Sequence, residues 1–542
     1  MSPAPNRHRA PYWTLGVLAG LLMLPFGWAV GVVVGVGLAR IAWAVVAARR
    51  GRRDRAHGRS SEVRLGVDPR GRPVSLGADE LGAHALIVGA SGAGKSTTLL
   101  RILDEQITAG RPVVALDLKG SPAFAAGLEQ AAQRAGRPFR IWTLDGPARW
   151  NPLAHGNPTE LKDRLISSER FSEPHYRRAA ERYVQSALQV LRASGRPADL
   201  AAVVALMDPR RLSALVRGLD SPLGERVRDY LDSLTPDQLS AIHGLGTRLA
   251  VLSESSAGPY LQGSSSGPPA TDAHIDLRAG LAGGEVILFS LNSSRYGSLA
   301  AQIGTLAIQD LISASGERLA AGGAPIAATV AIDEFSALGS DHVLALLARG
   351  RESGFGVLLA TQELSDLERA GRGFRDQVLG LTTVKIAHRQ DVPGSAQTIA
   401  EMAGTRLVWE ETRNLNGPWP SSGSRGTRRQ ARRFRVEPDV VKTLRPGEAL
   451  LLVKSPGTRI TLVRVRRAET APVAGVVPRP ATPPRSRPGP TRSQPAPTRS
   501  QPERTRSRPA LPRPAGRSSA GSAPRGGTGA GRDDQPEPGV TR

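Results

Sequence analysis

Residues 84–96, HALIVGASGAGKS, constrain this chain more tightly than any other stretch of its 542 residues. Residues 84–88 read as a buried strand. It runs directly into Gly89-Ala90-Ser91-Gly92-Ala93-Gly94-Lys95-Ser96, and the following TTLLRILDEQI has helical spacing. A glycine-rich turn between strand and helix lets backbone N–H groups turn inward around an anion, and the helix N-terminus adds its dipole. In the pattern GxxxxGKS the lysine reaches the β- and γ-phosphates of a nucleotide and the serine hydroxyl ligates Mg²⁺. Those roles fall on Lys95 and Ser96, with a cradle running from Gly89 through Ala90, Ser91, Gly92, Ala93 and Gly94 to Thr97. Lysine is rare here, six against 66 arginines. A forked guanidinium does not suit a pocket built for a point charge, so lysine at this position is informative.

A site of this kind needs an acid on a second strand. Residues 326–332, IAATVAI, give the strand, and Asp333-Glu334-Phe335 end it. Asp333 is expected to hold Mg²⁺ through water or Ser96, and Glu334 to polarise the attacking water. Residues 357–362, VLLATQ, read as another strand, ending in Gln362, placed to sense the γ-phosphate. Between them lies a helical stretch, 342–354, with Arg349 and Arg351 two apart and so pointing in different directions. Either one of them reaches the nucleotide of an adjacent subunit, or both are surface arginines of an amphipathic helix. Residues 111–117, RPVVALD, form a further parallel strand. Lys119, just past its end, either approaches the nucleotide or a neighbouring subunit, or sits in a capping turn.

Lys95 and Asp333 are 238 positions apart, more than a minimal core of this kind requires. Residues 151–261 lack β-branched patterning. They read as six helices, at 161–169, 176–193, 200–207, 210–219, 223–234 and 237–252, with Pro-Asp, Ser-Pro and Thr-Pro-Asp junctions as starts. They form an all-α insertion, after which EVILFSL (285–291) resumes the core. GVDPRGRPVSLG (66–77) reads as a hairpin turning at Pro69-Arg70-Gly71. EALLLV (448–453) and RITLVRV (459–465) read as closing strands.

The two ends carry most of the net charge of +24: residues 1–60 hold nine Arg against one Asp, and residues 468–542 hold thirteen Arg against five acids. Residues 11–48 are apolar except for Arg40. That is too long for one membrane helix and enough for two short ones broken at Pro25-Phe26-Gly27. Arg7 and Arg9 before the stretch, and Arg49, Arg50, Arg52, Arg53 and Arg55 after it, keep both flanks cytoplasmic. That favours a two-span hairpin over one span at 28–48 or a cleaved signal peptide. The last 75 residues hold 16 prolines, a recurring PTRSQPA unit and too few apolar side chains to offset chain entropy. They read as disordered, either a solvated linker or a tail that binds anions. The arginines from Arg425 to Arg435 read as a loop, facing DNA or lipid or simply solvated. The absence of cysteine excludes disulfides and thiolate chemistry, and the nine scattered histidines give no zinc spacing.

Taken together, GASGAGKSTTLL, VVALDLKGSP, RWNPL (149–153), AIDEFSALG and LLARGRESGFGVLLATQELSDL resemble the coupling-protein ATPases of type IV secretion and bacterial conjugation, the TraD/TraG class. That class is related to FtsK-like DNA translocases. The last block is the most specific, and the resemblance runs from about residue 62 to residue 467. It implies an α/β fold: a RecA-like P-loop NTPase domain with an all-α inserted domain, an N-terminal transmembrane hairpin and a disordered C-terminal tail. The implied organisation is a cytoplasmic N-terminus (1–10), the hairpin (11–48), a basic linker (49–61), the first part of the nucleotide-binding domain (62–150), the insertion (151–270), the second part (271–467) and the tail (468–542). It implies ATP and Mg²⁺ as cofactors. Lys95, Glu334 and Gln362 would be catalytic, Arg351 would act in trans, and Ser96 and Asp333 would ligate the metal. It further implies a hexameric ring in the inner (cytoplasmic) membrane that hydrolyses ATP to pass DNA, as relaxase–DNA complexes, to secretion-channel components. The near-absence of a loop between the two spans departs from many members and puts channel contacts in question. Two other uses of the same engine are an FtsK-like translocase, usually with more spans and a folded DNA-reading end, and a secretion ATPase exporting protein. An inactive tether binding nucleic acid through its Arg tail is a different class, against which intact Lys95, Ser96, Asp333 and Glu334 speak.

Overall fold

Four consecutive buried apolar residues, Ala85–Val88, make a strand only in a sheet covered on both faces. In the computed structural model, which describes residues 62–468 apart from 170, 172, 264–273, 323–325 and 414–425, they form the third strand. The strands are β1 (Val63–Val67), β2 (Pro73–Leu76), β3 (Ala85–Val88), β4 (Val113–Asp117), β5 (Phe139–Thr143), β6 (Val286–Ser290), β7 (Ala328–Asp333), β8 (Phe355–Thr361), β9 (Val384–Ala387), β10 (Thr405–Arg413), β11 (Gly426–Phe434), β12 (Glu448–Val453) and β13 (Arg459–Val465). Eleven of them form one sheet in the order β2-β1-β13-β12-β9-β3-β8-β7-β4-β6-β5, and β10 pairs with β11 as a separate ribbon. From β9 to β5 the sheet is parallel throughout. The expected hairpin β1–β2 and the closing strands β12 and β13 extend it antiparallel, and β13 pairs with β1.

Side chains alternate between the two faces with period two. Leu86, Val88, Val114, Leu116, Val330 and Ile332 enter one core, while Ala85, Ile87, Val113, Ala115 and Ala331 enter the other. The helices Lys95–Thr108 and Pro122–Arg134 cover the second core through Leu99, Ile102, Leu103, Phe124 and Leu128.

The first core takes in the helices Ser293–Ala320 and Ser340–Gly350 together with helices that lie in sequence between β5 and β6: Pro158–Ser167, Pro174–Ala193, Leu200–Leu206, Pro209–Val216, Pro222–Asp232 and Pro236–Ser253. These last six fall where the sequence places them. Five begin with proline in the first turn, where its fixed φ fits and its missing N–H costs nothing. The side chains of Asn157, Asp199, Asp208, Ser221 and Thr235 cap helix starts. These helices share one core with the sheet: Leu165, Tyr183, Leu188 and Leu249 lie in the same apolar cluster as Trp150, Phe289 and Leu306. RWNPL makes the join. Trp150 Nε1 donates to Asp310 Oδ2 (3.2 Å), Asn151 Nδ2 donates to Ala198 O (2.9 Å), and buried Arg164 pairs with Asp310 at 3.2 Å.

Three local readings change. Residues 426–434, expected as part of a loop, are β11, in full register with β10. A ribbon with solvent on both sides has no apolar face for a pattern to reveal. His84 precedes its strand at φ +64, with Nε2 donating to Leu347 O (2.9 Å) and Nδ1 accepting from Val357 N–H (3.1 Å). The helix expected at 342–354 is Ser340–Gly350, so Arg351 lies at its very end. The membrane hairpin read at 11–48, the basic linker and the tail beyond 468 lie outside the described residues. Among the described residues no helix is long and apolar enough to cross a membrane.

Candidate functional site

Parallel strands deliver their carboxyl ends to one edge, and here five of them converge. Val88 lies opposite Thr361 and Ala387, and Asp333 lies opposite Ala360 and Asp117. The glycine-rich turn after β3 therefore sits two strands from the acid at the end of β7, with β8 between them.

The turn holds Gly92 at φ +73 and Gly94 at φ +116 before the helix Lys95–Thr108 starts. Gly89 is required for a different reason: a Cβ there would lie 2.5 Å from His388 Cβ. Lys95 is buried, and its Nζ donates to Gly89 O (2.5 Å) and Ala90 O (3.3 Å), curling over its own loop. Burial, and then the charge of Lys119, lower its pKa against the pull of Glu334 and Asp333. Ser96 Oγ donates to Asp333 Oδ2 at 3.1 Å. Asp333 is 1% exposed, and its Oδ1 is buried without a hydrogen-bond partner. Burial raises its pKa, with Lys119 working in the opposite direction.

Glu334 sits at φ +59, and its Oε1 is ion-paired with Lys119 Nζ at 2.6 Å. Lys119 thus reaches the second acid, a contact the sequence did not show. Its place just past the carboxyl end of β4 and its rarity as a lysine were the signals. The turn after β4 is tied down by fully buried Asp117, which accepts from Lys119 N–H (2.9 Å) and Ser121 N–H (2.6 Å). Burial raises the Asp117 pKa, opposed by those backbone bonds and reinforced by Asp333. Burial alone would lower the Lys119 pKa, but the carboxylates of Asp333, Glu334 and Asp117 raise it overall.

His388, at the end of β9, backs the loop from behind. Its Nδ1 faces Glu448 O at 2.8 Å, which can only accept, so Nδ1 carries the proton. Nε2 then accepts from the Thr98 hydroxyl at 2.8 Å. Burial holds its pKa down to about 4. Ala90 N–H donates to the next residue's carbonyl, Arg389 O, at 2.8 Å. Nothing in the sequence marks His388 or Thr98, because their role exists only once β9 lies beside β3.

The structure thus brings together Lys95, Ser96, Asp333 and Glu334, with Ser91, Gly92, Ala93 and Thr97 in the adjoining loop and first helical turn. Gln362 follows β8 on the same edge. Arg351 is placed elsewhere: it precedes β8, whose seven residues span about 20 Å. It lines a cavity with Asp79, Gln106 and Arg111 at the opposite edge of the sheet, so it does not reach this chain's own loop. Arg349 lies on the same last helical turn.

A parallel-rich sheet with a glycine turn on its central strand and paired acids two strands away is the architecture of P-loop NTPases. Residues 327–446 match the family model described as the TraM recognition site of TraD and TraG. Among solved structures, the bacterial conjugative coupling protein TrwBdeltaN70 in an unbound form is 14% identical, with 75% of this chain and 89% of that chain covered and a TM-score of 0.55. The plasmid coupling protein TrwB in complex with the GTP analogue GDPNP is 15% identical, with 75% and 90% covered and a TM-score of 0.53. Its complex with the ATP analogue ADPNP is 14% identical, with the same coverage and TM-score. At such identities the likeness is one of fold. No curated protein matches the sequence. Family match and fold together bear out the resemblance to the TraD/TraG class of coupling proteins.

Proposed function

We propose that this chain is a membrane-anchored ATPase that assembles as a ring, most fittingly a hexamer, and drives DNA into a conjugative type IV secretion channel. The observation that carries the reading is the Ser96–Asp333 contact of 3.1 Å beside an orphaned, buried Asp333 Oδ1. A buried carboxylate oxygen with no donor, next to a serine hydroxyl at a helix N-terminus, suits a hard divalent cation. Ser96 and Asp333 would hold Mg²⁺, which supplies charge neutralisation for the β- and γ-phosphates. Lys95 would swing from Gly89 O to the phosphates, and the loop N–H groups would cradle them. Glu334 would take the proton of the attacking water and Gln362 would hold that water or sense the γ-phosphate. Arg351 can serve catalysis only from a neighbouring subunit, which is why the reading includes a ring. TrwB, of the same fold, binds ADPNP and GDPNP. The family description, a TraM recognition site, supports a TraM-like partner; the relaxase–DNA cargo follows from the resemblance to conjugative coupling proteins, and the apolar segment at 11–48 supports a membrane location with the motor in the cytoplasm.

The test is the ATPase rate of the full chain with single- or double-stranded DNA at several salt concentrations, beside Lys95→Ala. The expected result is turnover stimulated by DNA, stimulation that fades with salt, and no turnover in the variant. Wild-type turnover in Lys95→Ala would overturn the site. Turnover with no DNA stimulation at any salt would turn the reading towards protein export.

A further inference from the structure

The ribbon β10–β11 springs from the helix Pro393–Ala403, and Arg435 N–H closes its base on Gly404 O at 2.8 Å. Two strands alone have no core, so what each side presents is decided by period two. One side carries Leu407, Trp409 and Glu411 opposite Arg432, Gln430 and Arg428. The other carries Arg406, Val408 and Glu410 opposite Arg433, Ala431 and Arg429.

The two sides are chemically different. On its own side Glu410 occupies two of the three arginines, pairing with Arg429 and Arg433 at 3.0 Å each, and no aromatic ring stands there. On the other side Arg428 lies over the Trp409 indole, 4.5 Å from the ring centre, and stands 3.7 Å from Glu411. Leu407 is 63% exposed and Trp409 55%. Large apolar side chains turned to solvent among arginines are costly unless something covers them.

The charge decides the class of occupant. The two strands carry six arginines against two glutamates, which excludes a basic partner. The exposed indole and leucine exceed what a bare phosphate needs. Arg428 and Arg432 are four residues apart on one strand side, about 13 Å, the reach of a few nucleotides. An aromatic platform flanked by guanidinium groups fits a nucleic-acid strand with accessible bases. A duplex keeps its base faces stacked and offers the indole nothing. We propose that the Leu407–Trp409 side of the ribbon binds single-stranded DNA, with a base stacked on Trp409 and phosphates on Arg428 and Arg432. The inference rests on the DNA-motor reading and gives that motor a specific contact.

The experiment uses the full chain, a labelled oligothymidylate and the variants Trp409→Ala, Trp409→Phe and Arg428→Gln/Arg432→Gln. Trp409→Ala should weaken binding about tenfold or more, the size of one base–indole stack, and Trp409→Phe should restore most of it. The double arginine variant should flatten the slope of log affinity against log salt by about 1.4, or about 0.7 for each phosphate no longer neutralised. ATPase without DNA should be unchanged in all three, reporting an intact fold. If every variant binds like wild type while DNA still stimulates wild-type ATPase, the ribbon inference falls and the motor stands. If wild type shows neither binding nor stimulation, both fall. Variants that lose duplex binding equally overturn the single-strand assignment. Variants that keep DNA binding but lose an acidic protein partner overturn the inference in favour of a protein dock.

Discussion

Lys119 is placed to control the acids of the site, and replacing it with methionine isolates that role. Methionine keeps the unbranched stem, ending at the position of the Cε that carries the lysine Nζ, and removes the charge that Asp333, Glu334 and Asp117 share. A unit charge at 4 Å in a protein-like dielectric of about 20 is worth about 4 kcal/mol. The Lys119 side chain is 37% exposed, so solvent screening reduces this to about 1–2 kcal/mol, or about one pKa unit. The sign is fixed: losing a cation disfavours the ionised carboxylates, and the pKa values of Asp117 and Asp333, already raised by burial, move further up. In the proposed role Asp333 must be ionised to hold Mg²⁺, so activity should fail at a higher pH in the variant as pH is lowered.

The assay is the pH profile of ATP turnover from about pH 5 to 9 for wild type, Lys119→Met and Lys119→Arg. The acid limb of kcat should shift up by about one pH unit in Lys119→Met. Plateau kcat should fall about tenfold, because Glu334 at φ +59 loses the partner that orients it. KM for ATP should change little, since Lys119 contacts the acids and not the phosphate loop. Lys119→Arg should keep the wild-type limb. An unshifted limb in Lys119→Met would refute the electrostatic argument, and a variant faster than wild type at every pH would make Lys119 a brake on Glu334.

His388 is neutral in the fold with a pKa near 4. Its stabilising contribution is therefore fully present above its unfolded pKa of about 6.5 and is lost as pH falls towards 4, by up to about 3 kcal/mol. Urea midpoints at pH 7 and pH 4.5 should show His388→Gln to be less acid-sensitive than wild type by an amount of that order; equal sensitivity would contradict a neutral histidine. Arg351→Ala should hydrolyse ATP like wild type when dilute and fail to accelerate as protein concentration rises. Normal acceleration would leave Arg351 a plain surface residue.

What could be read from the sequence follows from what leaves a local trace. The phosphate loop is legible because a backbone cradle demands glycine and one lysine. Strands β3, β4 and β7 are legible because burial on both faces demands unbroken apolar runs. The inserted helices are legible because proline and short polar caps mark their starts. β9 escaped because Lys385, only 4% exposed, interrupts VKIA with a charge whose partner, Thr382 O, is local but invisible in the pattern. The ribbon escaped because Glu410 and the arginines fill the positions that an apolar face would have occupied. Lys119 and His388 belong to the site through strands that are neighbours only in the folded sheet. Arg351 shows the converse: a residue inside the most family-like block lies at the wrong edge for its own nucleotide.

These placements also connect the two sites. The segment that backs the phosphate loop, His388-Arg389-Gln390, leads through Asp391 and Val392 into the helix Pro393–Ala403 that carries the first strand of the ribbon. The second strand returns through Arg435 to the short helix Pro438–Lys442, whose Val441 carbonyl accepts from Gln390 N–H at 3.4 Å. Both roots of the ribbon are therefore held by the residues on which Gly89 and Ala90 rest. Gly89 has no slack against His388, where a single added methyl would clash. A loop that shifts on exchanging nucleotide must push that wall or break its 2.8 Å bond to Arg389. Contiguity of this kind becomes coupling only if the ribbon's affinity for a DNA strand differs between nucleotide states. The oligothymidylate measurement, repeated with and without an ATP analogue, reads that difference directly, and Trp409→Ala should abolish it along with the binding.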